Sequence, residues 1–243
     1  YFQCMYDTVS SILARSGNIN HPYLKAGDSS KKAVILITSN RGLAGGYNSN
    51  VVKLITRNED MKKEDLLIYA VGKKGRDTLK RHGFEIKEDY AEIINEPLYA
   101  DAKMISDVVL KAFSDGEVGE IYLAYTSFKN TVTHIPTLLK LLPVEIEPGQ
   151  EANDGEKSIP MNYEPDEEEA LDLIIPKYVA SLIYGALVEA VASENGARMQ
   201  AMDSATSNAD EMISHLALMY NRARQGSITQ ELTEIIGGAE ALS

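Results

Sequence analysis

The segment Thr38-Ser-Asn-Arg-Gly-Leu-Ala-Gly-Gly-Tyr-Asn-Ser-Asn50 is the part of this sequence that most resembles a chemical device. It is glycine-rich and joins an apolar run to a helical pattern. Backbone N–H groups at such a helix start can cradle a phosphate. The spacing argues against that use. Gly42, Gly45 and Gly46 do not make G-x-G-x-x-G, and no G-x-x-x-x-G-K-[ST] supplies a lysine to a terminal phosphate. A tight strand-to-helix connection with positive φ angles, capped by Asn48 or Ser49, accounts for the same residues. Other candidates are thinner. His21, His82, His134 and His215 are scattered, with no H-x-x-x-H pair and no cysteine nearby, so no metal site is expected. Ser39 and Ser49 lack the G-x-S-x-G setting of an activated nucleophile. The run Asp166-Glu-Glu-Glu169 offers paired carboxylates, but solvated charges at a helix start explain it better. Lys73, Lys74, Arg76, Lys80 and Arg81 form a basic cluster, either a solvated helix face or a dock for an acidic partner. No catalytic, cofactor-binding or metal-ligating set emerges.

Composition narrows the class. A formal net charge of −12 over 243 residues argues against a general nucleic-acid binder, which needs clustered cations to displace counterions. With 44% hydrophobic and 25% charged residues, the chain has enough apolar material for a core. Cys4, the lone cysteine, forms neither an intramolecular disulfide nor a C-x-x-C pair, which fits a reducing, cytoplasmic setting. No contiguous apolar run approaches the roughly 18 residues of a membrane span, so none is expected. Tyr1-Phe-Gln-Cys4 does not open a signal peptide, and without an initiator methionine the natural chain is expected to begin earlier.

Three textures must position these residues. In residues 1–17, Phe2, Met5, Val9 and Ile12 recur at helical coiled-coil spacing, as if a longer helix were entered partway. Residues 31–165 alternate strand and helix signals: strands at 32–38, 66–71 and 120–125, helices at 48–58, 73–82 (ended by Gly83) and 100–114. That alternation predicts a mainly parallel sheet with helical crossovers. Residues 132–145, around Pro136, are ambiguous and read as a last strand with an irregular edge; 147–157 read as a surface loop. From Asp166 onward nearly everything is helical. Pro176 should end or kink a short first segment. The next 60 or so residues would then make a rod of about 90 Å.

The rod carries a seam. Met202, Ala205, Ala209, Met212, Leu216, Met219 and Ala223 step by three and four in alternation, the a/d pattern of a helix wound on another helix. The α/β region is too small to cover such a length, so a partner helix is required. Residues 1–17 supply barely five turns of one.

Two parts of the chain carry a family likeness. Ile37-Thr-Ser-Asn-Arg-Gly-Leu-Ala-Gly-Gly-Tyr-Asn-Ser-Asn50 resembles the signature after the first strand in gamma subunits of bacterial F-type ATP synthases. Ala197-Arg-Met-Gln-Ala-Met-Asp-Ser-Ala-Thr-Ser-Asn-Ala209 and Tyr220-Asn-Arg-Ala-Arg-Gln-Gly-Ser-Ile-Thr-Gln-Glu-Leu-Thr-Glu-Ile-Ile-Gly-Gly238 resemble that family's C-terminal helix. The resemblance implies a Rossmann-like, mainly parallel α/β sheet domain inserted between two long helices that form an antiparallel coiled coil. Most of the N-terminal helix, some 45–50 residues, is expected upstream of Tyr1. The implied division is 1–17 for its lower end, 18–165 for the α/β domain and 166–243 for the C-terminal helix. The cysteine-bearing insertion of chloroplast relatives is absent, so no thiol switch is expected.

The implied function is that of a non-catalytic central rotor. It would couple an ion-driven c-ring to conformational cycling in a ring of three alpha and three beta subunits, with epsilon bound near its foot. The implied location is peripheral, on the cytoplasmic face of the bacterial plasma membrane. By resemblance, Arg224, Gln225 and Thr229 match positions that meet a beta subunit, and Arg198 and Glu234 match positions linked to coupling. Ile228, Leu232, Ile235 and Ile236 would seat an apolar bearing tip, and Tyr163 and Glu164 would face the c-ring. No cofactor, nucleic acid or membrane-crossing segment is implied. The rival reading is a nucleotide-binding α/β enzyme whose long helix is a dimerisation arm.

Overall fold

The computed structural model describes residues 21–144 and 167–240, and in the last helix the side chains of 171–239. Strands β1 (Lys32–Ile37) and β2 (Leu66–Val71) are apolar along almost their whole length because both faces of the sheet are covered. With β3 (Glu85–Asp89), β4 (Glu120–Phe128) and β5 (His134–Leu142) they form one sheet in the order β3-β2-β1-β4-β5. β1 pairs in parallel with β2 and β4, and β2 with β3; only β5 runs antiparallel, against β4. The strand read at 132–145 is thus an antiparallel edge, reached by a short hairpin instead of a helical crossover.

Alternation along the strands divides the core. Ala33, Ile35 and Ile37 of β1 face α3 (Tyr99–Ser114) and the first part of α4 (Glu167–Glu240). Val34 and Leu36 face the layer made by α1 (Tyr47–Thr56) and α2 (Lys73–Arg81). Helix starts and stops have local causes. The Asp101 carboxylate accepts the Leu98 N–H at 2.9 Å at the start of α3. Gly83, at φ 79°, follows the end of α2, where its N–H bonds the Lys80 carbonyl.

Four expectations need correction. First, β3 was not foreseen. Its sequence, Glu-Ile-Lys-Glu-Asp, is almost wholly polar and exposed, and it becomes a strand only by pairing with β2. Second, Pro176 does not end the helix: α4 runs unbroken through it. Ile175, Tyr178 and Val179 around it are buried, and their burial, roughly 1.5–3 kcal/mol each, outweighs the ~3 kcal/mol cost of an interior proline. Third, an 18-residue window of α4 reaches a mean hydropathy of 1.5, apolar enough by length and composition to cross a membrane. Contiguous runs hide it, because isolated polar residues break the stretch. Half of that window is buried inside the molecule, which accounts for its apolarity as core packing. Fourth, neither Asn48 nor Ser49 caps α1. Gly46 is the N-cap, and Asn48 turns back to Ser39. Residues 1–17 and the loop at 147–157 lie outside the described residues.

The chain divides into two compact units, Tyr1–Arg198 and Met199–Ser243. In the first, Leu171, Ile175, Val179, Ile183, Leu187 and Ala190 of α4 are buried in the sheet's own core. In the second, residues 199–239 are a single helical stretch whose residues are exposed, Ala201 alone being half-buried.

Candidate functional site

The glycine-rich loop is spent on structure. Thr38, at the end of β1, is fully buried; its N–H donates to the Val71 carbonyl at 2.8 Å. The loop then supplies acceptors to three successive N–H groups at the start of α2. Asn40 Oδ1 takes Lys73 N–H at 3.0 Å, the Ser39 carbonyl takes Lys74 N–H at 3.0 Å, and Thr38 Oγ1 takes Gly75 N–H at 2.9 Å. Those are the donors a phosphate would need at that helix. Gly72, at φ 96°, is obligatory: a Cβ there would lie 2.0 Å from the Thr38 carbonyl oxygen. Leu43 itself takes a positive φ of 63° and is exposed, as does Gly45 at 54°.

In doubly wound sheets, ligands bind beyond the carboxyl ends of the strands where the winding reverses, here between β1 and β4. The chain's own α4 lies there. Tyr47 Oη donates to the Ala190 carbonyl at 3.0 Å, and Ser193 Oγ to the Thr126 carbonyl at 3.2 Å. Burial lifts the Tyr47 hydroxyl pKa well above its ordinary value; Glu194 adds to the rise and Arg198 opposes it. The hydroxyl is a permanent donor at neutral pH. A cavity of about 270 Å³ remains beside the helix, lined by Asn40, Arg41, Asn95, Glu194, Asn195 and Arg198 among others.

Arg198 differs from the free cation expected of a partner contact. Its Nη2 pairs with Glu194 at 2.5 Å and reaches the Gly42 carbonyl at 3.4 Å, with both side chains mostly covered. The sequence signal for the pair was present: Glu and Arg four residues apart on a helix. His21 reads in the sequence only as one of four scattered histidines, and its buried role was not foreseen. Its Nδ1 accepts the Tyr23 N–H at 3.2 Å and its Nε2 meets Asp172 Oδ1 at 3.1 Å, tying the segment before β1 to α4. No spacing rule joins residues 151 positions apart.

The basic cluster on α2 is partly neutralised. Arg76 pairs with Asp77 and Asp89, and Lys73 with Glu92 at 3.3 Å. Hydrogen bonds to Asp77 and Asp89 raise the Arg76 pKa further.

The second unit offers a different surface. Met212, Leu216 and Met219 of the seam are 63%, 56% and 55% exposed, and Met202 39%. Ile213, Leu218 and Tyr220 add apolar surface beside it. A helix with so much uncovered apolar area is not stable by its own propensity and implies a partner. Arg224 and Gln225 are exposed, and among the described residues their side chains have no hydrogen-bond or ionic partner. Thr229 Oγ1 instead donates to the Gln225 carbonyl at 2.9 Å, and Glu234 accepts from Gln230 Nε2 at 3.0 Å. Ile228, Leu232, Ile235 and Ile236 are exposed, at 44% to 69%. Tyr163 and Glu164 lie outside the described residues.

Comparison with known proteins gives a consistent result. The family model described as ATP synthase matches residues 1–242. The ATP synthase gamma chain of Lachnoclostridium phytofermentans is 64% identical over 248 residues, covering 100% of this chain and 85% of that protein. A chain of the Euglena gracilis mitochondrial ATP synthase structure (OSCP/F1/c-ring, rotational state 3) superposes with a TM-score of 0.66 at 19% identity, covering 99% of this chain and 87% of its own. A chain of the Tetrahymena thermophila mitochondrial ATP synthase structure (central stalk and c-ring) gives a TM-score of 0.58 at 22% identity, covering 82% and 87%. At those identities the two structures speak for the fold alone, whereas the family match and the 64% identity speak for descent. The chain belongs to the ATP synthase gamma chain family.

Proposed function

We propose that this gamma chain is the central rotor shaft of an F-type ATP synthase and does no chemistry itself. One observation carries the reading: in a chain of this family, the helix from residue 199 onward is long, uncovered and lined by an a/d apolar seam. The proposed organisation is the lower end of an N-terminal coiled-coil helix at 1–17, an α/β domain at 18–165 and the shaft at 166–243. The N-terminal helix covers the seam; the alpha3–beta3 hexamer surrounds the upper shaft. The epsilon subunit and the c-ring hold the foot, with Tyr163 and Glu164 toward the ring. The assembly sits on the cytoplasmic face of the bacterial plasma membrane.

Rotation matters only if the shaft binds different beta-subunit conformations with different free energies; equal contacts would shift no population. Arg224 and Gln225 have the required freedom, being exposed and unpartnered among the described residues. Arg198 and Glu234, already bonded within the chain, contribute through the positions they fix, and Thr229 through the helix surface around it. Ile228, Leu232, Ile235 and Ile236 form an apolar bearing with few polar anchors, so the tip turns without a deep energy minimum. A nucleotide-binding role has no comparable support: the loop's glycine spacing fits no phosphate-binding fingerprint, and α4 lies where a nucleotide would bind.

Reconstituted complexes test this. Arg224→Ala with Gln225→Ala should reduce ATP-driven ion pumping per ATP hydrolysed about tenfold, the effect of losing roughly 1.4 kcal/mol of differential contact. An unchanged pumping ratio would remove these two residues from the coupling surface.

A further inference from the structure

Resting on the rotor reading, we infer that residues 189–198 of α4 are the torque joint, gripped from two sides so that helix and sheet turn as one. The first jaw is the β4–β5 hairpin. Glu189 accepts the Phe128 N–H at 3.1 Å, and Ser193 donates to the Thr126 carbonyl at 3.2 Å. At residue 196 the helix has no side chain, and the His134 ring occupies the space; a Cβ there would fall 2.5 Å from His134 Nε2. Positions 189, 193 and 196 follow i, i+4, i+7 and so share one stripe of the helix, about 10 Å long.

The hairpin is built to act as a stiff tooth. Asn130 Oδ1 accepts the Val132 and Thr133 N–H groups at 3.0 and 2.8 Å, and the Lys129 and Asn130 N–H groups bond the Thr133 carbonyl. The Phe128 and His134 rings pack at 5.9 Å beneath it.

The second jaw is the glycine-rich loop. Tyr47 Oη holds the Ala190 carbonyl, and the Gly42 carbonyl receives Arg198 Nη2. At 100° per residue, positions 190 and 198 lie about 95° and about 175° around the helix from the middle of that stripe, so the loop holds a second side of it. A helix held along one stripe can roll against its support; held from a second side as well, it cannot. The grip falls in the last ten residues before the unit boundary at Arg198, where any torque must leave the sheet domain. This also gives Gly196 a purpose in a helix that otherwise disfavours glycine by about 1 kcal/mol.

The test uses the whole reconstituted synthase, with Cys4→Ser and a bead attached through a cysteine introduced on the exposed face of α3. Angular fluctuation of the bead during catalytic pauses reports the compliance between sheet domain and shaft. Gly196→Leu, which cannot fit against His134 and the Thr131 carbonyl, should widen the angular variance at least twofold while ATP hydrolysis by the detached F1 portion stays within twofold. Gly196→Ala should widen it less, and His134→Ala with Gly196→Ala should return it toward wild type. If Gly196→Leu fails to assemble, the pair of alanine variants decides alone. Variance at the wild-type value in Gly196→Ala, or no recovery in the double variant, overturns the joint. A wild-type complex that shows no rotation overturns the rotor reading instead, so the two failures are distinct.

Discussion

Residues 171–196 and residues 199–239 belong to one helix and both carry many apolar side chains, yet they meet opposite surroundings. In the upstream stretch, Leu171, Ile175, Val179, Ile183 and Leu187 are completely buried by the sheet and α3. In the downstream stretch every described residue except Ala201 is exposed. The lesson is that helical apolar content has two uses. Upstream it builds this chain's own core; downstream it is surface kept for another chain. Spacing distinguishes them only in part: the downstream seam keeps strict three-four steps, the mark of a helical partner, while upstream the apolar stripe is broad.

The sharpest way to break this comparison is to delete equivalent side chains from each stretch. In the isolated chain, Leu187→Ala should cost about 2–5 kcal/mol in urea unfolding, because it empties a filled core position. Leu216→Ala should change the same transition by less than about 0.5 kcal/mol. Equal losses would mean that the downstream seam is already covered. A smaller effect, about 1 kcal/mol, is expected from Tyr47→Phe, which removes the hydrogen bond to Ala190 and leaves the ring in place.

Much of this was legible in the amino-acid order. β1, β2 and α3 were placed nearly to the residue, because two-sided burial demands apolar runs and α3 has an uninterrupted helical pattern. β3 was illegible for the opposite reason: Glu85, Lys87, Glu88 and Asp89 show no apolar alternation, and the strand exists through its partner's hydrogen bonds. Pro176 did not end the helix because local propensity gave way to tertiary packing. The glycine loop's spacing spoke against a phosphate site. Its true employment, supplying acceptors to α2 through Thr38, Ser39 and Asn40, depends on contacts 33 to 37 positions apart that no motif encodes. For the shaft residues, the sequence placed Arg224 and Ile235 on the long helix and family resemblance gave them their expected roles, while the capture of Arg198 by Gly42 required the fold.

Acidity should act on the sheet domain through Glu120. Burial tends to raise the Glu120 pKa, but hydrogen bonds and charge from Lys140, at 2.9 Å, and Lys32, at 3.1 Å, outweigh it and hold the carboxyl below its ordinary 4.5. A carboxylate with a depressed folded-state pKa stabilises the fold above its unfolded value. That contribution is lost as the pH falls from about 4.5 through the lower folded-state value. Glu120→Gln should therefore flatten the acid limb of the stability curve, followed by near-ultraviolet circular dichroism between neutral pH and pH about 3. An unchanged limb would mean that the two lysines do not act on it.

The smallest effect is expected from Thr229→Val. It removes a hydroxyl bonded only to the helix's own Gln225 carbonyl, so the stability of the isolated chain should move by no more than about 0.5 kcal/mol. Any larger loss of coupling in the assembled enzyme would then report a partner contact rather than a folding defect.

Direct observation of rotation bears most immediately on the rotor. With the gamma chain assembled into an alpha3–beta3 hexamer and a bead fixed to its sheet domain, added ATP should drive unidirectional turning with three pauses per revolution, one for each beta subunit. ATP hydrolysis proceeding at full rate while the bead stays still, or only diffuses, would contradict it.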